Sequence, residues 1–170
     1  MGNDSIDIGL ENIWRSWRRF RRGKRRTPEF HWWQYYLEEN LFLLQQSLAQ
    51  GTYRHRSYHH FIASEAKSRD IAVARIRDRV VHRLLYDYLV EVFDHSFIHD
   101  VWSCRIGKGL IGAIQRTQTF LRGFPDGCVW RADVTKFFNH VRHDVLRACL
   151  ARRISDPCAM SLLDEVIESY

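Results

Sequence analysis

The sequence predicts an α+β fold that is mostly helical, with a β-hairpin near its middle and one further strand towards its end. Three observations predict it. Apolar residues recur at steps of three and four over most of the chain, as they do along one face of a helix. That rhythm stops between Tyr58 and Ala74, where two β-prone runs, Phe61-Ile62-Ala63 and Ile71-Ala72-Val73-Ala74, flank the largely polar stretch Ser64 to Asp70. A third such run, Cys128 to Val134, is entered from a Pro125-Asp126-Gly127 turn.

The first helix is read over Arg15 to Arg26, where Ile13, Trp17 and Phe20 recur at helical spacing. The same stretch carries Arg15, Arg18, Arg19, Arg21, Arg22, Lys24, Arg25 and Arg26. Such a charge run is ordinarily a solvated face. Here the like charges are so concentrated that an anion is needed to relieve them, and phosphate is the expected one. Thr27-Pro28-Glu29 starts a second helix, with a hydroxyl at the cap, proline at the first position and an acid near the positive end. Phe30, Trp33, Leu37, Leu41, Leu44 and Leu48 form its core-facing stripe, and Gly51 ends it. After the hairpin, helical spacing returns from Arg77 with Val80/Val81, Leu84/Leu85, Tyr88/Leu89 and Val92/Phe93. Another helix follows Gly107-Lys108-Gly109 and carries Leu110, Ile114, Thr117 and Leu121. Two more are expected, one near His143 to Arg152 and one from Pro157 with Leu162, Leu163, Val166 and Ile167 inward.

Composition narrows the function classes. Of 170 residues, 45% are hydrophobic and 14% aromatic, enough to bury a core, so the chain is not a disordered tail. No apolar run approaches the ~20 residues needed to cross a bilayer, and Met1 to Leu10 lacks the basic-then-apolar order of a secretory signal. A cytoplasmic protein without a membrane partner is expected. Cys104, Cys128, Cys149 and Cys158 show no paired CxxC spacing and read as reduced, packed thiols. The net charge of +6 favours a polyanionic partner such as nucleic acid. With three prolines and neither a Gly/Ser-rich linker nor a repeat, the chain reads as one continuous unit.

The segment that carries most chemistry is Ala132-Asp133-Val134-Thr135-Lys136-Phe137-Phe138-Asn139-His140-Val141. A carboxylate at the end of an apolar strand sits rigidly at the rim of a sheet, where its oxygens can bind a hard cation. An aromatic just beyond the turn can floor a pocket beside that ion. Taken alone, an Asp that caps a turn and two core phenylalanines explain the same letters.

Order changes the balance. Reading from the hairpin onward, the chain presents F-I-A-S-E-A-K-S-R-D-I (Phe61–Ile71), R-D-R-V-V-H-R-L-L (Arg77–Leu85), C-R-I-G-K-G (Cys104–Gly109) and A-D-V-T-K-F-F-N-H-V (Ala132–Val141). This succession resembles the bacterial reverse transcriptases of group II introns, retrons and diversity-generating retroelements. The compact Lys-Ser-Arg hairpin and the early R-R-G-K-R-R-T (Arg21–Thr27) look closest to the last branch. The resemblance runs from about Trp14 onward; each block alone is weak, and the four in order carry it.

The resemblance implies helical fingers with a β-hairpin, followed by the first strand and helices of a right-hand polymerase palm. It divides the chain into a basic amino-terminal segment (1–27), fingers (28–125) and the start of the palm (126–170). It implies DNA synthesis on an RNA template from a DNA or RNA primer, with deoxynucleoside triphosphates and Mg2+. Asp133 matches the first catalytic aspartate, a ligand of both magnesium ions, and the Val134 carbonyl would add a further oxygen. Phe138 matches the aromatic that packs under the incoming sugar and excludes a 2′-hydroxyl. Lys67 and Arg69 match the fingers residues that hold the triphosphate. Arg105 and Lys108 fall in the block that helps to hold the template, with Arg21, Arg22, Lys24 and Arg25 as further template contacts; for each basic residue ordinary surface solvation is the alternative, more so for Lys108 than for Arg69.

The chemistry suits those residue types. Phosphoryl transfer is mostly positioning and charge neutralisation, which two metal ions about 3.5–4 Å apart provide. A lysine offers a point charge, and an arginine a planar fork for phosphate oxygens. One departure matters: the family's Y-x-D-D turn does not occur, and Asp164-Glu165 lies in a helical pattern and does not replace it. One carboxylate cannot hold two magnesium ions. The thumb is also missing, so the chain alone is expected to be inactive unless an accessory protein or the remaining polymerase chain completes it. A non-catalytic RNA-binding protein derived from a reverse transcriptase is the alternative, and a basic helical module with an accidental motif is a third.

Other motifs are less telling. Gly107-Lys108-Gly109 lacks the spacing of a nucleotide-hydrolysing P-loop. His55, His59 and His60, and His95 with His99, lack partner cysteines, and capping and solvation account for them. Trp33 belongs to the buried stripe; Trp14, Trp17 and Trp32 remain open as stacking surfaces.

Overall fold

The computed structural model describes residues 5–24, 27–64 and 68–169. Among them are seven α-helices and one two-stranded antiparallel sheet, an α+β arrangement dominated by helix. None of these helices is long and apolar enough to cross a membrane.

Helix α1 (Leu10–Phe20) buries Ile13, Trp17 and Phe20, the expected stripe, against α4 (Ile76–Phe93). Trp17 has no exposed surface and stacks on Phe30 at 5.3 Å between ring centres. Removing an indole from such a site costs ~3–5 kcal/mol. The helix lies earlier than the expected Arg15 to Arg26, starting at Leu10. It ends at Phe20, and the chain leaves it through Arg21, Arg22 and Gly23, whose φ of +66° is a conformation that glycine alone adopts without strain.

Thr27 caps α2 (Pro28–Tyr35) as its sequence requires, its hydroxyl accepting from the Phe30 N–H at 3.2 Å. The single long helix expected from Phe30 to Leu48 is two. Tyr36, at φ −99° and ψ 35°, separates α2 from α3 (Leu37–Ala49), and the Asn40 side chain donates to the freed Trp33 carbonyl. The break lets α2 lie against α4 while α3 lies against α1. Both halves of the stripe remain buried: Phe30 and Trp33 on one, Leu41, Leu44 and Leu48 on the other.

The hairpin forms as read. Strand β1 (His59–Ser64) pairs with β2 (Ser68–Val73), in a register that sets His59 opposite Val73 and Ser64 opposite Ser68. It stands out from the helical body, and most of its residues are exposed. Helix α4 is the centre of the core, burying Ile76, Val80, Val81, Leu84, Leu85 and Tyr88. Helix α7 (Pro157–Glu168) packs on α4 with Ala159, Leu162 and Leu163 buried. Its cap, Asp156, accepts from Cys158 N at 2.9 Å and, across the molecule, from Ile6 N at 2.6 Å, tying the amino-terminal segment to α7.

Helix α5 (Leu110–Gly123) forms after Gly109 as expected, with Leu110, Ile114 and Leu121 exposed. One expectation fails. The strand expected at Cys128 to Val134 does not form; the segment is exposed and pairs with no strand among the described residues. A strand needs a neighbour for its N–H and C=O groups. The described residues offer only the hairpin, whose strands pair with each other. Helix α6 (His143–Ala151) follows and packs on α7, where Arg147 bridges to Asp164 at 2.8 Å and Glu168 at 2.9 Å.

Candidate nucleic-acid interface

The hairpin places Arg69 opposite Ala63, one pair from the end of the ladder, with its side chain exposed. Lys67 lies outside the described residues. Next along, Asp70 faces His60 at 3.5 Å. Arg69 itself makes no ion pair or hydrogen bond among the described residues, so its fork is available to an anion.

The hairpin is anchored at its root by a polar cluster that includes Asp78 and His82 of the Arg77–Leu85 block, residues for which the resemblance gave no individual role. Asp78, one turn into α4, has no exposed surface. Its carboxylate accepts from the Tyr53 hydroxyl at 2.9 Å and from the Arg56 N–H at 3.3 Å. Burial, and then Asp78 itself, push the Tyr53 phenol far above its ordinary value, so it stays a donor. One turn along α4, His82 Nε2 lies 3.0 Å from His55 Nε2, with the two rings stacked. His55 Nδ1 sits 2.6 Å from the Arg56 carbonyl, which can only accept. That nitrogen therefore carries the proton, and in the neutral pair His82 Nε2 donates to His55. Burial first, then His55, pull His82 down to about 4, so it is neutral at physiological pH. Glu165 of α7 accepts from the His55 N–H at 2.8 Å and joins the cluster to the last helix. The sequence signal was present in a buried Asp within an apolar helix stripe, which requires a donor from elsewhere.

The basic amino-terminal segment presents Arg21, Arg22 and Lys24 on the turn after α1, all exposed. Arg25 lies outside the described residues. Arg19, one turn back, is held by Asp87 of α4 at 2.8 Å.

Arg105 is placed differently from a template contact. Its side chain is only 13% exposed, and all five of its N–H donors are committed within one loop. The fork meets Asp94 Oδ1 at 2.7 Å, and the remaining donors go to the carbonyls of Asp94, Ile98 and Val101. Those hydrogen bonds hold the Asp94 carboxyl below its usual range. A second fork, Arg116 on α5, holds Asp100 at 2.9 Å and draws it down to about 2. Trp102 lies against Gly112, where a Cβ would come within 2.7 Å of the ring, and Lys108 sits over that ring at 4.3 Å while donating to the His99 carbonyl. Arg105 thus braces the loop that carries Lys108.

Asp133 is exposed, and its Oδ1 accepts from the N–H of Val134 at 3.0 Å. Lys136 adopts a left-handed turn, at φ 50°, which leads into a short 3-10 helix, Phe137–His140. Phe138 is 81% exposed and meets Phe137 edge-on at 5.4 Å. No hydrogen bond, ion pair or ring contact joins Asp133 or Phe138 to Arg69, Arg105 or Lys108 among the described residues. Nor do these residues place three or more His, Cys, Asp and Glu side chains together to hold an ion. Asp133 offers one carboxylate, and a magnesium pair needs others beside it.

Comparison adds no relative. No protein-family model matches the chain, and no curated protein is significantly similar to it.

Proposed function

We propose that the chain forms the fingers and the start of the palm of a reverse transcriptase of bacterial retroelement type. What supports this most is the hairpin: a two-stranded ladder standing out of a helical body, with the uncommitted Arg69 beside its tip, where the resemblance requires a triphosphate clamp. Asp133 and Phe138 lie further along on one exposed segment, open to a nucleotide. In this proposal Arg69 and Lys67 bind the triphosphate, and Phe138 rejects a ribose by shape. Arg21, Arg22 and Lys24 track the template phosphates; Lys108 joins them from a loop that Arg105 holds in place. Asp133 and the Val134 carbonyl would hold Mg2+, which when bound stabilises charge on the attacking and leaving oxygens. Further carboxylates complete that centre, and the palm sheet that contains residues 128–134 forms only when another strand pairs with them.

The test is primer extension on an RNA template, with deoxynucleotides and Mg2+, by the full product of the intact gene. Asp133→Asn is expected to abolish extension while leaving RNA affinity nearly unchanged, and Phe138→Ala to admit ribonucleotides. Normal extension by the first variant, or unchanged sugar selection by the second, refutes the assignment. One observation is in keeping with a second reading, a non-catalytic RNA-binding protein: Asp133 belongs to no group of three or more His, Cys, Asp and Glu side chains among the described residues. RNA binding by an intact gene product that never extends a primer would select it.

A further inference from the structure

The face of α2 and α3 beside the hairpin root carries a feature that the polymerase motifs do not use. A cleft of ≈ 120 Å³ is lined by Trp32, Trp33, Glu29, Arg56, Arg75 and Arg77, among others. Three of these are arginines, brought from two segments on either side of the hairpin. Arg56 and Arg75 have exposed side chains with no ion pair or hydrogen bond from the guanidinium among the described residues. Arg77 is fixed instead, donating to the Arg54 carbonyl and the Ser47 hydroxyl at 3.1 Å each and lying over the Tyr53 ring at 4.8 Å. The lining carboxylate, Glu29, is partly engaged: its Oε1 accepts from the Ile76 N–H at 3.1 Å. The cleft is therefore net positive, with two forks free.

Beside it lies an aromatic platform. Trp32 is 58% exposed and Tyr35 81%, and Tyr36 touches both, at 5.4 Å from the first ring and 4.8 Å from the second. Apolar rings left in water at adjacent positions, against unpaired guanidinium groups, combine the two elements with which proteins hold single-stranded nucleic acid: stacking for bases and cationic charge for the backbone. An acidic peptide would use the arginines but leave the rings uncovered; a duplex would offer phosphates but no free base face.

We infer that this cleft is a single-stranded RNA site, in which one base stacks on Trp32 and the flanking phosphates lie on Arg56 and Arg75. It rests on the nucleic-acid part of the proposed function and not on polymerisation. Arg77 and Glu29 shape the cleft; being tied to Ser47, Arg54 and Ile76, they are positioning residues.

The experiment measures anisotropy of a labelled oligouridine of about 12 nucleotides, within the span such sites cover, with the whole chain at several salt concentrations. Trp32→Ala is expected to weaken binding about 5- to 100-fold, as loss of one stacked base does, with the salt slope unchanged. Arg56→Gln with Arg75→Gln is expected to lower the slope of log affinity against log salt by about 1.4, roughly 0.7 for each lost phosphate contact on a single strand. Both variants should keep the wild-type circular dichroism and melting temperature, since the altered side chains are exposed. A duplex of the same length should compete poorly. If the wild type binds the oligomer and both variants bind within twofold of it, the cleft is not the site, and the polymerase proposal is untouched. If the wild type does not bind the oligomer, the cleft proposal falls, and primer extension by the full gene product still decides the polymerase reading.

Discussion

Acid is expected to loosen this protein through one histidine, in a window that its carboxylates do not share. His82 is pulled from its ordinary value of 6.5 to about 4 by burial and by the facing His55. Between those two values the unfolded chain binds a proton that the folded chain refuses. Unfolding therefore takes up about one proton, and stability rises with pH across the window. It is fully present above about 6.5, falls as pH drops towards 4, and then levels off as far as this group is concerned. At about 1.4 kcal/mol per unit the span corresponds to ~3 kcal/mol; solvent reaching the half-buried ring reduces this to about 2 kcal/mol.

The assay is urea unfolding at pH 7.5 and pH 4.5. With slopes of about 1–3 kcal/mol/M, the midpoint should fall by roughly 1 M. Asp94, Asp100 and Asp144 are held below their usual range by arginine partners, so the stability they contribute is lost only at lower pH, and the upper window isolates the histidine. His82→Gln keeps an N–H for His55 and cannot titrate; its midpoint should be nearly the same at both pH values. An unchanged wild-type midpoint, or an equal fall in the variant, would refute the link between burial of this ring and acid sensitivity.

Other perturbations probe the same scaffold. Asp78→Ala strands the Tyr53 hydroxyl and the Arg56 N–H in the hairpin root; a loss of about 2–4 kcal/mol is expected in denaturant unfolding, and a loss below ~1 kcal/mol would show the cluster to be dispensable. Gly112→Ala puts a Cβ into the Trp102 ring, so the ~1 kcal/mol that alanine normally adds to a helix should not appear. Tryptophan emission should shift to the red as Trp102 is displaced. Arg105→Lys retains the charge but loses the fork, and faster proteolysis between Asp94 and Arg105 is expected, with unfolding of the α1–α4 core unaffected.

Local physics explains which elements were legible. The α1 stripe of Ile13, Trp17 and Phe20, the Thr27 cap and the hairpin follow from neighbours within a few residues, and all three formed, although α1 itself runs from Leu10 to Phe20 and not from Arg15 to Arg26. The break at Tyr36 was not legible, because the apolar spacing continues across it and only packing on α1 and α4 requires the turn. Residues 128–134 have a strand's composition but no partner, and pairing is not a property of one segment. Arg105 fits a motif by letter, yet Asp94 and three carbonyls take its donors.

By itself, the order of residues determined that most of the chain is helical, the hairpin, the Thr27 cap, the net positive charge and the identity of the candidates Arg69, Asp133 and Phe138. Tertiary structure alone decided which charges are spent and which are free. It joined Tyr53 to Asp78, His55 to His82 and Ile6 to Asp156, and it set Arg56 and Arg75 beside Trp32. The reason is that a charged or aromatic side chain is defined by what lies within a few ångströms of it in space. For these residues those neighbours lie tens of positions away along the chain or more, beyond the reach of spacing or propensity.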